Sequence, residues 1–250
     1  MIKNILVGSF ICGLFLMLGC ARSVSSRETI LNMEIQISFE GNVDLSENYY
    51  YMAFSGVSEP LVPTENLLPD TPEYFITPGR SYDESNETLY DFDRTINYFY
   101  EKFYKTWSDY IVCYQDNSGV RKIKLYKSDA ASFDSTTSGT QHYGYIPADK
   151  FDYEFKIIEN DTIELKCQLQ DFSAIPTTLY FTFFTAKKNT NSHIENDESG
   201  YIQDTLVQSD GLTSIKVEFG GDTEERPEQQ NFALESNEAA DIRAWRIRFR

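Results

Sequence analysis

From Leu31 to Phe39 the chain alternates without a break: Leu31, Met33, Ile35, Ile37 and Phe39 are apolar, and Asn32, Glu34, Gln36, Ser38 and Glu40 are polar. Successive side chains of a strand point to opposite faces, so this pattern buries one face and wets the other. Two other stretches, Asn48 to Ser55 and Thr178 to Ala186, are apolar or aromatic on both faces, as central strands covered on two sides are. Phe151 to Ile158 and Thr162 to Leu169 read as the arms of a hairpin closed by Glu159-Asn160-Asp161. Further strands are expected at Tyr110 to Tyr114, Val120 to Tyr126, Tyr201 to Val207, Thr213 to Phe219 and Asp241 to Phe249.

One segment departs from the period of two. Phe92, Ile96, Phe99, Tyr100, Phe103 and Trp107 fall near helical spacing, with Asp91 or Asp93 available as an N-cap, which predicts a short amphipathic helix. Val57 to Thr88, Lys187 to Gly200 and Gly220 to Asn231 are rich in Pro, Asn, Asp and Glu and read as long loops. The first carries Leu61, Leu67, Leu68, Tyr74, Phe75 and Tyr82, which would be stranded in water unless the loop wraps the core. Many strands with at most one helix predict an all-β, mainly antiparallel β-sandwich, because a parallel α/β sheet needs a helix between each pair of strands.

The N-terminus carries a different signal. Lys3 precedes an apolar run from Ile5 to Leu18 that contains no ionisable residue. About 14 residues is the length of a signal-peptide core, and about 20 would be needed to span a bilayer. The run ends in Leu16-Met17-Leu18-Gly19-Cys20, which resembles the lipobox of bacterial lipoproteins, with Met17 where Leu is usual. The resemblance implies cleavage after Gly19 and acylation of Cys20, so that the chain divides into a signal peptide (1–19), a lipidated cysteine with a polar tether (20–29) and one β-sandwich domain (30–250). It also implies a cell-envelope protein held to the membrane through Cys20, since two or more acyl chains suffice for stable attachment. Ala21 resembles the pattern that permits transfer to the outer membrane in a Gram-negative cell. The simpler alternative is an ordinary secretory signal, which also exports the chain.

Lys3 is the one charge in residues 1–19, so the formal net charge of −17 becomes −18 for residues 20–250. Such a surface repels phosphate, and nucleic acid is not an expected partner. Cys12 leaves with the signal and Cys20 is consumed by lipid, which leaves Cys113 and Cys167. Both fall on apolar faces of expected strands. They are therefore either a candidate disulfide, favoured by an oxidising compartment, or two separate buried thiols acting as small hydrophobes.

Little in the sequence selects a catalytic centre. The histidines are His142 and His193, both in polar surroundings, and residues 20–250 contain no Gly-x-Ser-x-Gly, His-Glu-x-x-His, Gly-rich phosphate loop or Cys-x-x-Cys. Acids are plentiful, but abundance alone does not select a glycosidase pair. Asp91-Phe92-Asp93 and Glu195-Asn196-Asp197-Glu198 offer oxygen ligands without the spacing of a calcium loop, so neither a metal nor a cofactor is expected. The candidate ligand-stacking aromatics are Tyr82, Trp107, Tyr143 and Tyr145, placed in or near connections, although core packing is the commoner fate of such residues. The expectation is a non-catalytic binding or interaction module for a carbohydrate or protein ligand. The alternative is an envelope hydrolase acting on glycans or peptides.

The C-terminal stretch holds the most basic cluster. Trp245, Ile247 and Phe249 alternate with Arg246, Arg248 and Arg250, which predicts an integral strand whose arginines stand on a sheet face beside Glu164 and Glu218.

Overall fold

A computed structural model describes residues 32–62, 82–83, 103–128, 140–141, 144–173, 178–188, 200–206, 214–218, 226–227 and 237–249. The alternating first stretch forms β1 (Asn32–Phe39), and the doubly apolar second forms β2 (Asn48–Ser55), whose eight residues are all buried. The chain continues through β3 (Tyr82–Asp83), β4 (Asp109–Gln115), β5 (Arg121–Ser128), β6 (Thr140–Gln141) and β7 (Tyr145–Pro147). There follow β8 (Tyr153–Ile158), β9 (Thr162–Gln168), β10 (Thr178–Lys188), β11 (Gly200–Thr205), β12 (Ile215–Glu218), β13 (Arg226–Pro227) and β14 (Ile242–Phe249).

Two antiparallel sheets carry the fold, both within the unit Leu31–Arg250. Sheet A runs in the order β13-β14-β1-β9-β8. Sheet B runs β11-β10-β2-β4-β5-β7, with β12 on the same edge of β10 as β11. A small pair, β3-β6, stands apart. β2 and β10 lie side by side within sheet B, as their two apolar faces require.

The inward residues of sheet A, among them Met33, Ile35, Leu165 and Ile247, share one buried cluster with Tyr50, Met52, Ile111 and Phe183 of sheet B. Trp245 of β14 meets Phe181 of β10 edge to face across this core, at 5.9 Å between ring centroids. The C-terminal stretch is thus a full strand, paired with β1 from Met33↔Phe249 to Phe39↔Ile242. The arginines stand beside Glu34 and Gln36 of β1, with Glu164 one strand further on. Glu218 does not join them, because β12 pairs with β10 in the other sheet.

The second face of sheet B is covered as well. Tyr51 stacks on Phe184 and Tyr110 on Tyr126, both near-parallel at 4.6 and 4.7 Å. Val62, Phe103, Tyr104 and Trp107 close over these rings, and the Trp107 Nε1–H donates to the Leu61 carbonyl at 2.6 Å. The beginning of the proline-rich stretch therefore does wrap the core. Of the expected helix, residues 91–102 lie outside the described residues, and Tyr104–Thr106 form one 3₁₀ turn.

Turn chemistry fixes the β8–β9 hairpin. Glu159 and Asn160 both adopt positive φ, 53° and 69°, and the Asp161 N–H donates back to the Ile158 carbonyl at 3.2 Å. This is the two-positive-φ pattern that matches strand twist. Asp161 also accepts from Arg243 at 2.9 Å, which ties the hairpin end to the start of β14.

Residues 237–242 stitch the two sheets together. Thr185 of β10 donates to the Ala240 carbonyl at 2.7 Å, and Tyr50 of β2 donates to the Ala239 carbonyl at 2.8 Å. Asp204 of β11 accepts the Thr205 N–H at 2.8 Å and reaches across to the Ile242 N–H at 2.7 Å. Gly41, after β1, donates to the Glu238 carbonyl so closely that a Cβ there would lie 2.7 Å from that of Glu238.

Candidate functional site

The outer face of sheet A is built by the polar half of each alternating strand. The register places these side chains in rows that run across the strands. One row reads Arg248, Glu34, Lys166, Glu154, alternating in charge from β14 through β1 and β9 to β8. The next reads Arg246, Gln36, Glu164, Lys156.

Side-chain contacts knit these rows. Gln36 Nε2 donates to Glu164 at 2.7 Å and to Glu34 at 3.4 Å, Lys166 lies 3.4 Å from Glu164, and Arg248 lies 3.7 Å from Glu34. Burial works against ionisation of Glu164, but the Gln36 amide and the Lys166 ammonium outweigh it and hold the carboxyl below its usual range. Arg246 buries its Nε without a hydrogen-bond partner, an unsatisfied donor in the second row.

At the end of sheet A where β1 begins, the rows part to leave a groove of about 450 Å³. Glu34, Lys166 and Glu154 line one wall, and Asn32, Gln168 and Asp152 the other. Met33, Cys167 and Tyr153 alternate with them along β1, β9 and β8, and the side chains of Met33 and Cys167 turn to the core. The groove therefore crosses three strands and offers carboxylates, amides and one ammonium within a span of about 10 Å. Such a set accepts hydrogen bonds from hydroxyl or ammonium groups and donates from the two amides and Lys166.

The sequence-level candidates lie elsewhere. Trp107 and Tyr145 are only 3% and 1% exposed, and the Tyr145 hydroxyl donates to the carbonyls of Tyr104 and Trp107 at 2.6 and 2.9 Å. Their rings belong to the second core and present no stacking surface, because the wrapping segment covers them. Tyr82 pairs with Gln141 in the small β3-β6 ladder, and Tyr143 lies outside the described residues. So do His142, His193 and both acidic runs with oxygen ligands for calcium, 91–93 and 195–198. Among the described residues no group of three His, Cys, Asp or Glu side chains is placed to hold a metal.

Cys113 and Cys167 face the same core from opposite sheets and stand as free thiols. Burial pushes both up, Cys167 to about 12, so neither is a nucleophile at neutral pH.

Sequence reasoning passed over the groove residues, although each is the polar member of an alternating pair. Alternation tells that Asn32, Glu34, Lys166 and Gln168 face outward; it does not tell which of them face one another. That knowledge lies in the register.

Fold and face together define a two-sheet, all-β sandwich with one polar, charge-laddered sheet face and a groove across it. No protein family, curated protein or solved structure matches the chain.

Proposed function

We propose that this chain is a non-catalytic binding module of the cell envelope, exported by residues 1–19 and anchored through an acylated Cys20. In a Gram-negative cell Ala21 directs it to the outer membrane. The groove on sheet A takes a glycan. The observation that carries this reading is the groove's donor set: Glu34, Asp152 and Glu154 accept from sugar hydroxyls, while Asn32, Gln168 and Lys166 donate to them. Two of its acids are already paired, Glu34 with Arg248 at 3.7 Å and Asp152 with Lys150, so the charges around the groove are close to balanced and suit a neutral sugar.

The test uses the full chain with Cys20→Ser, titrated calorimetrically with soluble chitooligosaccharides, peptidoglycan fragments and neutral glucans. At least one should bind. Replacing both Asn32 and Gln168 with Ala should weaken that binding about tenfold, the loss expected for two hydrogen bonds, at an unchanged melting temperature. Absence of binding to the whole panel, or affinity unmoved by the double substitution, would overturn the glycan reading. The anchor is tested separately: wild-type protein should carry a diacylated N-terminal cysteine by intact mass, and Cys20→Ser should not.

A further inference from the structure

β8 closes sheet A on one side, and among the described residues nothing pairs with its outer edge. Its first two residues and Lys156 are exposed, with Tyr153 42% accessible. An edge strand of six residues leaves a row of backbone donors and acceptors open to another strand. Lone edges are usually blunted by charge, and β8 carries two charges on its outer face, Glu154 and Lys156.

Those charges have opposite sign and flank Phe155, on the opposite face of the strand from it. In an antiparallel pair, directly opposed residues share a face, so a two-fold axis at Phe155 would set Glu154 against Lys156 of a second copy and Lys156 against its Glu154. Phe155 would meet its own counterpart, and Tyr153 would meet Ile157. Sliding the register by two residues in either direction opposes Glu154 to itself or Lys156 to itself, which is repulsive. A slide by one residue sets the polar face of one copy against the apolar face of the other.

The rest of sheet A supports the same register. The row Arg248, Glu34, Lys166, Glu154 reaches the edge with a negative charge. The row Arg246, Gln36, Glu164, Lys156 reaches it with a positive one. The axis joins the first row of one copy to the second row of the other, so the alternation of sign continues across the junction.

We propose that the outer edge of β8 is a homodimer interface, in which two copies pair β8 to β8 antiparallel about Phe155 and make one continuous sheet from the two sheets A. The ladder hydrogen bonds supply attraction, and the Glu154–Lys156 pairs select the register. The contact is small for an interface, so the dimer is weak in solution and favoured where anchoring concentrates the chains.

The experiment reads association without any ligand, so its outcome is independent of the glycan reading. Sedimentation equilibrium of the full chain with Cys20→Ser should show a monomer–dimer equilibrium. Lys156→Glu should weaken it about tenfold or more, because both charge pairs become repulsive. The double exchange Glu154→Lys with Lys156→Glu should restore it, since the swapped charges again oppose their opposites. Phe155→Cys should cross-link to a dimer under a mild oxidant, whereas Ile157→Cys, which faces Tyr153 of the other copy, should not. Thermal melts of each variant confirm that the fold persists. A chain that stays monomeric throughout the concentration range, a dimer indifferent to Lys156→Glu, or cross-linking through position 157 in place of 155 would each overturn the proposal.

Discussion

Raising the pH from 4 to 7 should loosen the sandwich, and Asp204 is the residue through which the effect acts. Burial pushes its carboxyl up to about 7 against the pull of the Ile242 and Thr205 N–H groups, and the neighbouring Asp241 adds to the rise. In the unfolded chain an aspartate ionises near pH 4. Between those limits the native state keeps a proton that the unfolded state has released. Stability is therefore greatest at the acid end, falls as pH rises through the window, and levels off above about 7.

A one-proton difference changes stability by about 1.4 kcal/mol per pH unit, and roughly three units separate the two values, which sets a ceiling of about 4 kcal/mol. Asp241 is itself raised by burial and by Glu40 and Glu238, so the pair titrates jointly and the fall is spread in pH without changing sign. Carboxyls held low, such as Glu164 and Asp44, act in the other direction and lose their contribution only as pH drops toward and below 4.

Urea unfolding of wild type and Asp204→Asn at pH 4.5, 5.5, 6.5 and 7.5 separates these contributions. Asn keeps one acceptor oxygen and cannot ionise, so at pH 4.5 the variant should be the less stable by about 1–3 kcal/mol for the N–H it leaves unpaired. The gap should narrow as pH rises. Parallel curves for the two proteins would refute the reasoning, because the pH dependence would then belong to other groups.

Gly41→Ala should lower the melting temperature by several degrees, since its Cβ would sit 2.7 Å from the Glu238 Cβ and 2.9 Å from its backbone carbon. Tyr50→Phe should cost about 1–3 kcal/mol in urea unfolding, because the hydroxyl donates to Ala239 at 2.8 Å and accepts from the Asp44 N–H at 2.9 Å inside the fold. Cys113 and Cys167 should resist a thiol reagent in the native protein and both label in urea without reductant, with reductant leaving the melting temperature unchanged. Failure of either to label in urea would show a bridge.

Where sequence reading succeeded, it did so through period two and composition. β1, β9 and β14 declare their inward faces in the spacing of Met33, Ile163 and Trp245, and β2 and β10 declare central positions because both their faces are apolar. The hairpin was legible because Asn tolerates positive φ, although Glu159 at 53° gives no such hint. β7 and β13 went unread, since two or three residues are too few to show a period.

The candidate site was harder for a physical reason. Trp107 and Tyr145 read as connection residues, but a residue's exposure there depends on whether another segment crosses over it, and Leu61 and Val62 do so from a distant part of the sequence. The groove depends on the pairing of Asn32 with Gln168 and of Glu34 with Lys166, more than a hundred positions apart in the chain. Single-strand patterns contain no information about such partners.

The pairing of β1 with β14 has a kinetic consequence. Met33 finds Phe249 about 200 residues downstream, so sheet A is assembled from contacts of very high sequence separation and its closure should be slow. Until β14 arrives, the edge of β1 that it will occupy is bare, and Met33, Ile35 and Ile37 lack their neighbours. A chain threaded through a translocation channel from its N-terminus would thus stay extensible during passage. The same interval leaves an open apolar edge, the stage at which holdase chaperones would matter most.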